Sequence, residues 1–309
     1  MEKIIDIFIP VYKPDERLKV LIARLMQQTL KPRYIYLLHT LEEEVQPLDM
    51  FYEKEWKEII REIPIEKKDF DHGGTRAYGA SLSDAEFLLF MTQDAVPANQ
   101  ILLENLMIPF ADEKIAACYA RQLPRKEAKT VERLIRQYNY PDTDRIQSAE
   151  DIDTLGIKAY FCSDVCAVYK RSVYEEMGGF VKKTIFNEDM IMAADMITSG
   201  YRVAYASSAK VLHSHSYTLR QQFSRNFDLA VSQVQYRRVF EGISSESEGL
   251  SMVKAVCIYL IKHGQAFKIP YFILDCAAKF AGYRLGKQYH HLPKKVVRAC
   301  SMNKGYWQT

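Results

Sequence analysis

The feature that most limits the fold is an alternation of short apolar strands and amphipathic helices from residue 4 to residue 121. The first segment, "IIDIFIPVY" (4–12), is almost continuously apolar and β-branched, as a strand buried on both faces must be, and Pro10 falls where it ends. Leu18, Leu21, Ile22, Leu25 and Met26 then recur at helical spacing behind Pro14 and Asp15, two helix-start signals. The same reading predicts strands over 34–40, 58–63, 86–91 and 115–121, with helices around 48–57, 75–83 and 99–109 between them. Elements of these lengths in this order define an open, mostly parallel α/β sheet flanked by helices. Ligands of such sheets bind beyond the carboxyl ends of the strands. That rule gathers Pro10, Val11 and Tyr12, His39 and Thr40, and Thr92 to Asp94 around one crevice.

Beyond residue 121 the alternation loosens. A basic helix is predicted over 124–139, a strand near 160–169, a loop ending in "GGF" (178–180) and a helix starting at "NED" (187–189). Short strands through "YRVAYA" and "KVLHSHS" precede a helix over about 218–241. The polar stretch "GISSESEG" (242–249) reads as a hinge, dividing the chain into 1–241 and a helical, basic segment 242–309. With 309 residues, 48% of them hydrophobic, the chain can bury a full core. Its net charge of +3 is uneven: residues 250–309 hold ten Lys/Arg against one acid, Asp275, for +9, leaving −6 on residues 1–249. Such a basic tail, mixed with aromatics, has the composition of a surface that meets an anionic leaflet. It lacks any recognisable nucleic-acid module. Six scattered cysteines form no CxxC pair, so neither a disulfide framework nor a structural zinc site is indicated, and a reducing cytoplasm is the expectation. "MEKIIDIFIP" is too quickly polar for a signal peptide, and no apolar run is long enough to span a bilayer.

Five groups of residues could carry chemistry. Asp94, in "LLFMTQDAVP", ends an apolar run and reads either as a turn cap or as a ligand to a hard cation, which takes one or two carboxylates and completes its shell with water and phosphate. His213 and His215 are two residues apart, so an extended segment would point both to one side, as ligands to a metal or diphosphate. In "NED", one acid is explained by the helix dipole. The apolar face that follows would aim the other, Asp189, into the crevice as a general base. Gly73 and Gly74 precede a helix, so their amides could meet an anion, with Arg76 as a fixed charge. Arg220 and Arg225 are either donor contacts or solvated side chains.

Together "IDIFIPVY", "FDHGGTRAYGA", "TQDAVP", "FCSDVCAVYKRSVYEEMGGF", "NED" and "VLHSHSYTLRQQFSRNFD" resemble the family 2 glycosyltransferases of the GT-A fold, and within them the bacterial rhamnosyltransferases. The resemblance covers roughly the first 240 residues. It implies a Rossmann-like GT-A sheet and a divalent cation, Mg²⁺ or Mn²⁺. Asp94 falls at the last position of the family's DxD motif, and His213 or His215 completes the metal site. Asp189, with Glu188 beside it, matches the family's ED base for inverting transfer. Pro10, Val11, Tyr12, His72, Gly73, Gly74, Arg76, Gln93 and Arg225 match donor positions, and Asp164 an acceptor position. The chain departs from the family at Thr92, which replaces the first acid of DxD, at "LLHTLEEE" in place of an acid pair after the second strand, at Ala77 and at Lys13. One charge fewer at the metal implies weaker, more phosphate-dependent binding.

The function implied is transfer of L-rhamnose from dTDP-L-rhamnose to a polyprenyl-diphosphate-linked saccharide of the cell envelope, at the inner face of the plasma membrane. The alternative is a non-catalytic glycan- or membrane-binding protein with a degenerate site, which Thr92 and the missing acids would fit. A nucleotidyltransferase would need a glycine-rich loop after the first strand, and "PVYKPDE" has none.

Overall fold

A computed structural model describes residues 3–42, 47–215, 217–241 and 246–308. Glu43 and Glu44 of "LLHTLEEE", Ser216 of "VLHSHS" and residues 242–245 of the expected hinge lie outside the described residues. The described residues form strands β1 (Ile5–Val11), β2 (Tyr34–Leu41), β3 (Ile60–Glu66), β4 (Phe87–Met91), β5 (Val96–Pro97), β6 (Ile115–Leu123), β7 (Arg145–Gln147), β8 (Cys166–Lys170) and β9 (Arg202–Leu212). The helices are α1 (Glu16–Met26), α2 (His72–Ser81), α3 (Leu102–Met107), α4 (Thr130–Asn139), α5 (Ile152–Leu155), α6 (Arg171–Glu176), α7 (Glu188–Thr198), α8 (Leu219–Gln235), α9 (Arg237–Phe240), α10 (Glu246–Lys262), α11 (Ile269–Gly286) and α12 (Lys294–Cys300).

All the described strands join one sheet in the order β3-β2-β1-β4-β8-β6-β9-β5, with β7 on β9. β1 pairs parallel with β2 and β4, and β2 with β3, as the alternation predicts. β8 runs antiparallel between β4 and β6, so the sheet is mixed though mostly parallel. The pleat sorts β1 into two faces. Ile5, Ile7, Ile9 and Val11 share a core with Leu18, Leu21, Ile22 and Leu25 of α1. Phe8 points the other way, its ring 4.9 Å from Tyr36 and 5.2 Å from Phe90. Each aliphatic side chain buried here contributes about 1.5–3 kcal/mol relative to exposure. Asp6, a charge inside this strand, is held by Arg33 Nη2 at 2.6 Å, Ser83 Oγ at 2.6 Å and the Tyr34 amide at 3.1 Å.

Several boundaries differ from the sequence reading. The helix expected around 48–57 is two 3₁₀ turns, Leu48–Phe51 and Lys54–Trp56, with Leu48 and Phe51 buried in the core and Tyr52 and Trp56 packed against it. The helix expected over 124–139 begins at Thr130, and the strand expected over 160–169 begins at Cys166, after a 3₁₀ turn over Gly156–Tyr160. The two short strands expected after residue 200 are one, β9, whose register against β6 shifts between Ala120 and Arg121.

The chain divides into two compact units, one from the N-terminus through Leu123 with Tyr140–Lys183 and Glu188–His213, the other holding Pro124–Asn139, Thr184–Asn187 and everything from Ser214. The second is helical. Its α8 and α11 pack so closely that a Cβ at Gly282 would lie 2.1 Å from the Phe223 carbonyl oxygen, and one at Gly286 2.4 Å from that of Phe227. Only glycine permits that approach.

Candidate active site

The ends of β4, β6 and β9 bring the first cluster together. Asp94 follows β4 by three residues, and His213 follows β9 directly. The Asp94 Oδ1 is 3.6 Å from His213 Nε2. Gln122 of β6 fixes the histidine. Its amide nitrogen donates to Tyr140 Oη at 2.6 Å and Ser163 Oγ at 3.0 Å, which leaves its oxygen to accept from His213 Nδ1 at 2.9 Å. With the proton on Nδ1, a neutral ring turns the Nε2 lone pair towards the carboxylate. Two electron-rich atoms so placed fit a shared cation, and an outer partner that sets the tautomer is the usual companion of a ligating histidine. His215 is the second residue along the chain from His213, and ligand atoms of Asp94, His213 and His215 all lie within 4.8 Å of one another. Thr92, standing where the family's first acid would be, has its hydroxyl oxygen buried without a hydrogen-bond partner.

The second cluster joins α2, α7 and the loop before β8. Arg76 is buried and its Nη1 donates to Glu188 Oε1 at 2.9 Å, while its Nε faces Asp164 Oδ2 at 3.5 Å. Asp164 is buried and accepts from Tyr169 Oη at 2.8 Å. Asp189 accepts from the Asp164 amide at 3.1 Å and from its own helix at Met190 N, 2.8 Å. The preceding residue, Asn187, has φ +66°, a left-handed conformation that asparagine tolerates. Burial and then the Glu188 charge push the Asp189 carboxyl up from 3.8 to about 7, against the amide bonds and Arg76, which favour its ionised form. Desolvation also raises Asp164 well above the usual carboxylate range. Burial and mutual repulsion therefore disfavour the ionised forms of Asp164 and Asp189, while the Arg76 charge favours them. Asp189 is only half-buried and can still meet a substrate.

Among the residues expected to meet a donor, Tyr12 and Gln93 exchange hydrogen bonds, Tyr12 N to Gln93 Oε1 and Gln93 Nε2 to Tyr12 O, both 2.9 Å. This ties the end of β1 to the segment after β4. Pro10 is half-buried and Val11 is wholly in the core. Glu42, just past β2, accepts from Tyr12 Oη at 2.5 Å and Lys67 Nζ at 2.7 Å and lies 3.3 Å from Lys13 Nζ. Lys67, then Tyr12, hold its carboxyl down at about 2. Two sequence expectations meet internal partners here. The Gly74 amide, expected to face an anion, donates to Asp71 Oδ1 at 2.7 Å, the helix cap. Arg76, expected at the donor, is bound to Glu188. Gly73 is buried in α2, and His72, in its first turn, packs its ring 5.5 Å from Phe70. Arg225 belongs to the second unit, its guanidinium 4.6 Å above the Phe186 ring.

Sequence reasoning missed Gln122, Tyr140 and Ser163, which position His213, and Glu42, which neighbours Tyr12. The acids of "LLHTLEEE" were visible, but nothing in the sequence paired the first of them with Lys67. The other three are ordinary polar residues whose roles exist only once distant strands meet.

A mixed, mostly parallel sheet whose strand ends gather an Asp–His pair and a buried acid cluster defines a GT-A glycosyltransferase. The chain belongs to glycosyl transferase family 2, whose model matches residues 6–178. It is 39% identical to the O-antigen chain rhamnosyltransferase RfbN of Salmonella typhimurium over 98% of this chain and 96% of the relative. It is 43% identical to WbaN of Salmonella anatum, also an O-antigen chain rhamnosyltransferase, over 79% of this chain and 78% of the relative. In fold it is similar to the mannosyltransferase PcManGT of Pyrobaculum calidifontis in complex with GDP-Man and Mn²⁺ (TM-score 0.58, 14% identity, 99% of this chain and 88% of that one). It is also similar to TarS 1–349 of S. aureus with UDP-GlcNAc (TM-score 0.53, 13% identity, 93% and 91%).

Proposed function

We propose that the protein transfers L-rhamnose from dTDP-L-rhamnose, with inversion, to a polyprenyl-diphosphate-linked saccharide in O-antigen synthesis at the inner face of the plasma membrane. The identity with two O-antigen rhamnosyltransferases supports the sugar and the pathway class. The observation that carries the chemistry is Asp189, a half-buried carboxylate poised at about 7 beside a buried Glu188–Arg76 pair. A base near the working pH takes a hydroxyl proton best.

Asp94, His213 and His215 are the residues that would hold a divalent cation, and one carboxylate with two imidazoles favours Mn²⁺ over Mg²⁺. When bound, the cation neutralises charge building on the leaving diphosphate. The chain's own work is then positional. Gln122 keeps Nε2 of His213 unprotonated for ligation, and Tyr12 with Gln93 shapes the donor end of the crevice. Asp189 accepts the proton of the acceptor hydroxyl as that oxygen attacks the anomeric carbon and the diphosphate leaves. Glu188 stays bound to Arg76, and its charge keeps Asp189 basic. Asp164 turns its backbone amide, not its side chain, to Asp189.

A panel of sugar nucleotides, scored by nucleoside diphosphate release with purified protein and lipid-linked acceptor in Mn²⁺ or Mg²⁺, tests this reading. Release from dTDP-rhamnose with Mn²⁺, lost in Asp94→Ala, is the expected result. No release from any donor would favour the non-catalytic binding protein, and release from another sugar nucleotide alone would overturn the rhamnose assignment.

A further inference from the structure

The helical unit carries a feature that sugar transfer does not use. The end of α10, the turn after it and the start of α11 read "IYLIKHGQAFKIPYFIL" (258–274). Val256, Leu260 and Phe272 are buried there, forming a small core with Val131, Leu134 and Ile135 of α4. Ile269 packs against that core, but most of the other large apolar side chains face outward: Phe267 is 76% exposed, Ile261 61%, Leu274 57% and Tyr271 55%, with Ile258 and Ile273 also exposed. A soluble surface rarely leaves so many apolar groups together without an occupant.

On α11 these side chains form one surface. At 100° per residue, Tyr271, Leu274 and Ile273 fill a single arc of about 160° turned away from buried Phe272. Phe267 stands on the turn itself. The charge along the same stretch selects the occupant. Residues 250–274 contain Lys254, Lys262 and Lys268 and no acid, and Asp275, the first acid after them, is bound by Lys279 at 2.6 Å. Lys268 is fixed by Thr130 Oγ1 at 2.7 Å and Gln265 Oε1 at 2.8 Å, at the level where the apolar tip begins. No described helix is long and apolar enough to cross a membrane, so insertion is interfacial.

We propose that the α10–α11 hairpin tip, with Phe267, Ile261, Tyr271 and Leu274 as its wedge, inserts into the interface of an anionic bilayer while Lys254 and Lys262 meet the headgroups. This rests on the peripheral-membrane reading above and assigns it to one element. Replacing Phe267 with Trp in the full chain gives a reporter against the parent background of Trp56 and Trp307. The parent should float with phosphatidylglycerol/phosphatidylethanolamine vesicles and poorly with phosphatidylcholine. The Phe267→Trp emission should shift to the blue on vesicle addition and be quenched by lipids brominated on their acyl chains. The triple variant Ile261→Ser, Phe267→Ser, Leu274→Ser should lose at least about tenfold in vesicle partitioning, and Lys262→Gln about fivefold. Both should keep nucleoside diphosphate release with a soluble acceptor saccharide. Vesicle binding by the parent with no change in the emission of the Phe267→Trp reporter would overturn the hairpin assignment and leave the membrane reading standing. A blue shift that grows with protein concentration without lipid would point to a second copy and overturn it. Failure of the parent to bind any vesicle would overturn both, without touching the transfer reaction.

Discussion

Two regions of this molecule each hold a carboxylate whose ionised form is disfavoured, and they do different things. Asp189 rises to about 7 and Asp228 to about 6, both mainly through burial. Asp228, on α8, accepts from the backbone amides of Met302 at 2.8 Å and Asn303 at 3.2 Å, so it fastens the C-terminal segment to its own unit. Asp189 has a second acid next to it, an arginine behind that acid, and partial access to solvent. A raised carboxylate alone is therefore no mark of catalysis. Its neighbours decide whether the proton can be used.

The strongest way to break the comparison is to remove the cation from one side of it. Arg76→Met leaves Glu188 and Asp164 buried without their partner, and breaking a buried pair costs about 3–5 kcal/mol. Chemical denaturation should show that loss. In whatever protein remains folded, the acid limb of the transfer rate should move to higher pH, because Arg76 favours the ionised form of Asp189. Arg76→Lys should restore the limb in part, and an unmoved limb would separate Arg76 from Asp189.

Next in size is the pH profile of the parent. A base must be deprotonated, so transfer should fall about tenfold for each unit below about 7. Stability should run the other way. A carboxyl whose folded pKa exceeds its unfolded 3.8 gives stability that is complete below about 4 and lost as pH rises through the folded value, about 7 for Asp189 and about 6 for Asp228. Thermal melts across pH 4 to 8, a window of roughly those values, should decline on the alkaline side, and a rise there would contradict both assignments.

The smallest effect separates the two acids. Asp228→Asn keeps an oxygen for the Met302 and Asn303 amides and removes the charge, so it should flatten the pH dependence of stability between about 4 and 6 by up to about 3 kcal/mol. Transfer should stay within about twofold. A large loss of transfer would mean the two regions are not independent.

The sequence was informative where one element carries its own signal. β1, α1 and β4 were legible because apolar continuity and periodicity are local. Asp94, Asp189 and His213 stand out as candidates in the sequence because each closely follows or opens such an element. What failed was anything decided by partners far along the chain. Arg76 reads as a fixed charge facing an anion, and its bond to Glu188, 112 residues away, has no trace in the sequence. Gln122 is an unremarkable strand residue until Tyr140 and Ser163 orient its amide. The helix expected near 48–57 is two 3₁₀ turns, with Leu48, Phe51, Tyr52 and Trp56 at the core.

The central claim is that Asp189 is the base, acting in the transition state and not in donor binding. Transfer from dTDP-rhamnose and donor affinity should be measured side by side for the parent and Asp189→Asn, in Mn²⁺ and at a pH about one unit above the Asp189 value. Asp189→Asn should bind donor within about threefold of the parent while transfer falls roughly 10²–10⁴-fold. Near-normal transfer by Asp189→Asn, or a loss fully accounted for by weaker donor binding, would contradict it.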